Sequence, residues 1–333
     1  MVGPLSRVGL VLSGAVAQGG FEAGALSALA AKTPGILSIA GTSSGALNAT
    51  VAAAGVAAGR LDRAATVLKK LWIEDGSWQH IADVTLSDWL HLRGAFDTKR
   101  LQSLIMEAIG EVLDGWKGEP TPVTLTLVTT NLDALPRTKG TVPLPTYEEA
   151  IPFTAESIVN RDNWKRIANA AAASATFPGL FSPTSFDGAP CIDGGAVNNA
   201  PISHVLDNPN VDTVVIVTTE SPKIPQKASL GGAALVSRVA AALINECIAY
   251  DITEAQKVNA RYKAIAGALD AAAVSADTKA RVLDASGYRL IQLYLVQPEN
   301  PLPGDSFSGF LHRDQRMAYV EAGEHASIVP ISG

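Results

Sequence analysis

Cysteine and charge are the scarce ingredients of this chain. Only Cys191 and Cys247 are available among 333 residues, so at most one disulfide can form and no disulfide framework exists. A reducing cytoplasm is the expected setting. Charged residues make up 17% of the chain, with a net charge of −6 and no long run of one sign. Nucleic acid requires a concentrated basic surface and anionic lipid attracts polybasic patches, so neither partner is indicated by charge. Long apolar runs are also missing. The nearest approach to an 18-residue run, Gly231 to Ile248, contains Arg238, Asn245 and Glu246, so no transmembrane helix is expected. No signal peptide is expected either, because Gly and Gln soon interrupt the apolar run after Arg7. Asp and His are not clustered at ligand spacing, so no metal or other cofactor is expected.

Small and apolar residues are plentiful, and their order is informative. RVGLVLS (Arg7 to Ser13) reads as a buried strand, followed by a Gly-rich turn (Gly14 to Gly20) and a helix (Phe21 to Ala31). ILSIA (Ile36 to Ala40) is a second strand, then a tight turn (Gly41 to Gly45) and an Ala-rich helix (Ala46 to Ala58). Strand, helix, strand, helix at this spacing predicts a parallel sheet. Further helices are expected over Leu61 to Trp72, Thr98 to Leu113 (capped by Asp97), Asn163 to Ala173, Asp270 to Ala285 and Arg313 to His325. Ser229 to Ala266 reads as one long helix or two. Strands are expected over Val123 to Thr129, Val211 to Thr218 and Arg289 to Val296, and a loop or hairpin over Asp133 to Pro152. Without repeats or a low-complexity linker, residues 1–333 read as one α/β domain. Its motif-bearing part covers about 7–220, with a C-terminal helical region and last strand at 229–325.

The sharpest chemical signal is Gly41-Thr42-Ser43-Ser44-Gly45. A serine hydroxyl is a weak nucleophile unless it is exposed and held beside a base. A strand-to-helix turn does both, and the flanking Gly41 and Gly45 leave the room it needs. The following helix aims its N-terminal amides at the reacting centre. Ser43 is therefore the candidate nucleophile.

The base is less obvious. His80, His91, His204 and His325 read as surface or core residues, and His312 is the strongest histidine, late in the chain as in a Ser…Asp…His triad. The alternative is a lone carboxylate, Asp193, in Cys191-Ile192-Asp193-Gly194-Gly195. At a strand end, partly buried, it would have a raised pKa and could take the serine proton directly. From Asp-Gly-Gly alone, an ordinary turn is the simpler reading.

Four blocks in order resemble the patatin-like phospholipase family: Leu10-Val11-Leu12-Ser13-Gly14 running on to Gly19 and Phe21 to Leu26; Gly41 to Ala49; Ala173 to Pro183; and Asp193-Gly194-Gly195 with Asn198, Asn199 and Pro201. The closing RMAYVEAGEH (Arg316 to His325) is weakly similar to the family's final helix. The resemblance implies a three-layer α/β/α fold with a mainly parallel central sheet. It implies a Ser43–Asp193 dyad without histidine, acting on lipid acyl esters, with Ser174, Pro178 and Pro183 shaping the turn beside Asp193. It implies an oxyanion loop at Gly14, Ala15 and Val16. A lipid or acyl-ester substrate, peripheral membrane contact and a homodimer are the expected partners. The cytoplasm, with contact at a membrane surface, is the expected location.

One block departs from the family. Where the family reads Gly-Gly-Gly-x-Arg-Gly, this chain has Gly14-Ala15-Val16-Ala17-Gln18-Gly19. A β-branched residue does not easily take φ > 0, and Gln18 removes a fixed positive charge. Either the loop shifts with the Ala15 and Val16 amides still inward, or the oxyanion hole is impaired, giving low activity or a different substrate; a lipid-binding protein or scaffold without turnover is a further alternative. The stripe Leu235, Val236, Val239, Leu243 and Ile244 reads as a core helix, with an acyl tunnel, lid or dimer face as alternatives. Trp72, Trp78 and Trp89 read as core rings that could instead dip into a lipid interface.

Overall fold

The computed structural model describes residues 4–81, 98–137, 144–178, 180–223 and 233–331. In chain order the first elements are β1 (Val8–Leu12), α1 (Gly20–Ala30), β2 (Ile36–Thr42), α2 (Ser44–Ala57) and α3 (Leu61–Lys70), which runs into a π-helical turn at Leu71–Asp75. Then come α4 (Lys99–Leu113), β3 (Thr124–Leu135), β4 (Thr146–Thr154), α5 (Trp164–Ser174), β5 (Thr184–Phe186) and β6 (Ala189–Ile192). The chain continues with α6 (Ile202–Leu206), β7 (Thr213–Val217), α7 (Ala233–Ala271), α8 (Ala276–Ala285), β8 (Gln292–Val296), α9 (Arg313–Glu324) and β9 (Ile328–Pro330).

Among the described residues, nine strands form one mixed sheet. β1 lies inside it, parallel to β2 on one side and to β7 on the other. The parallel set continues with β3 beside β2 and β8 beside β7. β4, β5, β6 and β9 join antiparallel towards the margins. β1 and β7 are buried along their whole length, which is why both read as unbroken apolar runs. Alternate side chains feed two cores. Leu10, Leu12, Val215 and Val217 pack with α1, α2, α3 and α5 on one face. Val11, Val214 and Ile216 pack with Ile202, Val205 and Ile248 of α6 and α7 on the other. The architecture is thus α/β/α around a mostly parallel sheet, as the order of elements predicts.

In the stretch after Asp133, read as loop or hairpin, β4 pairs antiparallel with β3 from Thr124↔Thr154 to Leu135↔Thr146. Pro152 is tolerated because β4 has β3 as its one sheet partner and the missing N–H breaks no second ladder. Other expectations need correction. The C-terminal helical region is one continuous helix from Ala233 to Ala271, since nothing breaks it before Gly267. Asp270 belongs to that helix. The expected helix from Asp270 starts only at Ala276, after Ala273 turns left-handed (φ 51°) and Ser275 caps the Thr278 amide. The last strand is β9, beyond Arg289 to Val296, and it closes the sheet against β8. β5 and β6 carried no periodicity because three or four residues hold too few alternations to register. Asp97, His91, Trp89 and the side chains of Trp78, Leu235, Val236, Val239, Leu243 and Ile244 lie outside the described residues. Cys191 and Cys247 are both free thiols. Among the described residues, no helix is long and apolar enough to cross a membrane.

Candidate active site

Strand register brings Ser43 and Asp193 together across 150 positions of sequence. Thr42 ends β2 opposite Val128 of β3, and Ile192 ends β6 opposite Thr130. β4 already occupies the other edge of β3 at Thr130, paired through Glu148. β6 therefore lies on the same edge as β2 but runs the opposite way. The next residue of each strand, Ser43 and Asp193, arrives beside Thr129. The two strands meet head-on there, and their ends carry the two candidate groups.

Side chains of β3 and α5 fix this junction. Thr129 Oγ1 donates to the Ile192 carbonyl (2.9 Å) and Thr130 Oγ1 to the Asp193 carbonyl (2.8 Å). Ser174, at the end of α5, accepts the Ser43 amide at 2.9 Å and donates to the Val128 carbonyl. The Asp193 amide donates to the Thr176 carbonyl at 2.9 Å. Ser174 thus ties the elbow to the sheet. Pro178 is exposed, at one end of an isolated bridge to Phe181.

Ser43 sits at φ 55°, ψ −129°, a strained conformation for a side-chain-bearing residue, and α2 begins immediately after it. The space around the turn is minimal. A Cβ on Gly45 would lie 2.2 Å from the Leu12 carbonyl oxygen, and one on Gly41 would lie 2.5 Å from the Gly45 carbonyl oxygen. A Cβ on Gly194 would meet the Val128 carbonyl oxygen at 2.1 Å. These glycines are required by close backbone approach.

Ser43 Oγ donates to Asp193 Oδ2 at 2.6 Å, while Asp193 Oδ1 accepts the Gly195 amide at 2.8 Å. Ser43 is 6% and Asp193 5% exposed. Burial raises the Asp193 pKa to about 6 against the lowering effect of its bonds from Ser43 and Gly195. A carboxylate so placed is ionised near neutrality yet basic enough to accept a proton.

The described histidines lie elsewhere. His312 and His325 are exposed at the two ends of α9. His204 pairs with Glu148 at 2.6 Å, and exposed His80 faces the Ser77 hydroxyl at 2.8 Å. Among the described residues there is no cluster of groups able to hold a metal.

The Gly14–Gly19 loop faces the elbow. Val16 adopts φ 52°, against the expectation that a β-branched residue would avoid that region. Bonds on both sides hold it there: the Ala15 amide donates to Ser44 Oγ (2.8 Å), the Ala17 amide to the Ser306 carbonyl (3.0 Å) and the Gln18 amide to the Ala15 carbonyl (3.0 Å). The Val16 amide has no acceptor among the described residues. Beneath the loop, Asn48 Nδ2 donates to the Gly19 carbonyl and to Glu22, and Trp72 Nε1 donates to Asn48 Oδ1. Trp72 is buried in this network, with its ring against Gly19. Glu22 is fully buried, and burial holds its pKa well above the usual carboxylate range. An apolar cavity of about 60 Å³ runs along α2 from this network, lined by Leu47, Val51, Leu71, Trp72, Leu104 and Ile105 among others.

Two features were missed in the sequence. Ser44 is the acceptor for the Ala15 amide, and Asn199 bonds to Gly14. Ser44 lay inside a block read only for its glycines and nucleophile. Asn199 stood six residues past Asp193 with no spacing rule to link it to Gly14.

Comparison with known proteins agrees with the ordered blocks. The patatin-like phospholipase family profile matches residues 10–206, more than half of the chain, and the chain belongs to that family. Among solved structures it is similar to VipD from Legionella pneumophila, at 15% identity and a TM-score of 0.37, over 96% of this chain and 67% of that one. No curated protein matches the sequence.

Proposed function

We propose that this protein is a lipid acyl hydrolase working through a Ser43–Asp193 dyad, with Gly14, Ala15 and Val16 as the oxyanion loop. The observation that carries the reading is the 2.6 Å bond from Ser43 Oγ to Asp193 Oδ2 at a strained strand-to-helix turn. Ser43 Oγ attacks the ester carbonyl as Asp193 takes its proton. The tetrahedral oxyanion is held by loop amides, with the N-terminus of α2 adding its dipole. Asp193 then protonates the departing alcohol, leaving an acyl-serine. Water, deprotonated by Asp193, attacks that acyl group; Asp193 returns the proton to the departing Ser43 Oγ, the acid is released and both side chains are restored. The nine-stranded sheet supports reading the whole chain as one functional unit.

The test is a fluorophosphonate probe followed by a panel of acyl esters differing in chain length and head group. Wild type is expected to label and Ser43→Ala to remain unlabelled; equal labelling of both removes the reading. His312→Ala and His325→Ala are expected to keep near-full activity, and a total loss in either would replace the dyad with a histidine triad. A second reading, a lipid-binding protein without turnover, draws on the strain at Val16 and the engagement of the Ala15 amide by Ser44. It predicts an unlabelled wild type that still binds lipid.

A further inference from the structure

Asn199 is fully buried, yet its side chain belongs to none of the groups assigned a chemical step. Its Nδ2 donates to the Gly14 carbonyl at 3.2 Å, and its own backbone carbonyl accepts the Gly14 amide at 3.3 Å. Its Oδ1 is buried without a donor among the described residues. That oxygen lies against the α-carbons of two loops: a Cβ on Gly14 would be 2.3 Å from it, and one on Gly195 2.7 Å. The same Cβ on Gly14 would be 2.9 Å from Ser43 Cβ. Asn199 is therefore wedged where the oxyanion loop, the elbow and the aspartate loop converge.

The Gly14 carbonyl and the Ala15 amide belong to one peptide unit, and in a trans peptide they point in opposite directions. Asn199 Nδ2 holds the carbonyl end and Ser44 Oγ holds the amide end. The Ser44 bond occupies the Ala15 N–H, and the next amide of the loop, Val16, has no acceptor among the described residues. Glycine at position 14 gives the peptide freedom to turn over if either anchor is lost. The geometry points to Asn199 as a positioning residue that sets the direction of the Gly14–Ala15 peptide and thereby holds the loop whose next amide, Val16, is open to the oxyanion. This inference rests on the Ser43–Asp193 reading. It adds a direct brace between the loop that stabilises charge and the loop that carries the base.

The test uses Asn199→Ala and the near-isosteric Asn199→Asp in the full chain, beside wild type and Ser43→Ala. Readouts are fluorophosphonate labelling rate, kcat and KM on one acyl ester from pH 5 to 9, and the crystal structure of each Asn199 variant. Loss of one oxyanion donor typically costs about 10²-fold or more in kcat. Asn199→Ala is expected to lose about 10²-fold in kcat with KM within roughly threefold, since the loss falls on the transition state. Asn199→Asp can donate to the Gly14 carbonyl only while its carboxyl is protonated. Its activity relative to wild type is therefore expected to rise as the pH falls. Asp193 faces position 199 across Gly195, so an ionised carboxyl there would also raise the Asp193 pKa and lower the ratio further near neutrality.

Wild-type kcat in Asn199→Ala, or an Asn199→Asp ratio flat across pH, would overturn the assignment. If Asn199→Ala does not fold, the near-isosteric variant carries the test alone. If wild type itself does not label, the hydrolase reading fails independently. The variant crystal structures then decide whether the peptide has turned, and an unturned peptide overturns the assignment.

Discussion

Two residues in this site hold left-handed backbone without being glycine, Ser43 at φ 55° and Val16 at φ 52°, and they are held in different ways. Ser43 is fixed by the sheet. β2 delivers it, β3 sets its height, and Ser174 ties its amide to Val128. Val16 is fixed by bonds from separate segments of chain: Ser44 on α2, Ser306 before α9 and, through Gly14, Asn199. The elbow inherits its strain from the architecture. The loop depends on a few side chains and one distant carbonyl, so single substitutions should disturb it more selectively.

The comparison can be broken most sharply at the base. Asp193→Asn should lower kcat on an acyl ester by about 10³-fold, the middle of the range for acid–base groups, and a loss below tenfold would leave Ser43 with another base. Wild-type activity should rise with pH through about 6, as Asp193 loses its proton.

The same group shapes stability. Its folded pKa is raised from 3.8 to about 6, so its protonated form favours folding. That contribution is full below pH 3.8 and is lost as the pH rises through about 6. The shift corresponds to roughly 3 kcal/mol. Thermal denaturation from pH 3.5 to 8 should show that fall in wild type and a flatter profile in Asp193→Asn.

The elbow comes next. Gly45→Ala would place a Cβ 2.2 Å from the Leu12 carbonyl oxygen and should cost about 3 kcal/mol, read by urea denaturation. Ser174→Ala leaves the buried Ser43 amide without its acceptor and should cost about 2 kcal/mol, with a measurable loss of kcat. The smallest effect belongs to the loop. Val16→Gly relieves a left-handed β-branched residue but adds chain entropy, for a net gain of about 1 kcal/mol. A loss of stability there would show that the valine side chain, 8% exposed, contributes more by packing than its backbone costs.

Much of this was legible in the sequence because it is periodic or local. The βαβα opening, the apolar runs of β1, β2 and β7, and the glycine-flanked serine all declare themselves within a few residues. The base did not. Asp193 in its Asp-Gly-Gly turn resembles any turn until the sheet places it beside Thr129, and only the order of blocks along the chain singled it out. β5 and β6 were too short to show a pattern, although β6 is the strand that carries Asp193 to the serine. Val16 was misjudged because propensity describes an isolated residue, whereas here neighbouring bonds outweigh it. Ser44 and Asn199 were invisible as partners because their contacts cross 29 and 185 positions of sequence.

The meeting of β2 and β6 on one edge of β3 also makes the site discrete. Strand pairing moves in whole residues, each worth about 3.3 Å and a reversal of face. Shortening the β5–β6 hairpin by one residue cannot move Asp193 slightly away from Ser43; it must carry the carboxylate out of bonding range or turn it to the opposite side of the sheet. Insertions that preserve the Thr130–Ile192 pairing would leave the Ser43–Asp193 contact untouched however long they are. Spacing between serine and aspartate along the chain is thus free to vary, while their separation in space is counted in steps.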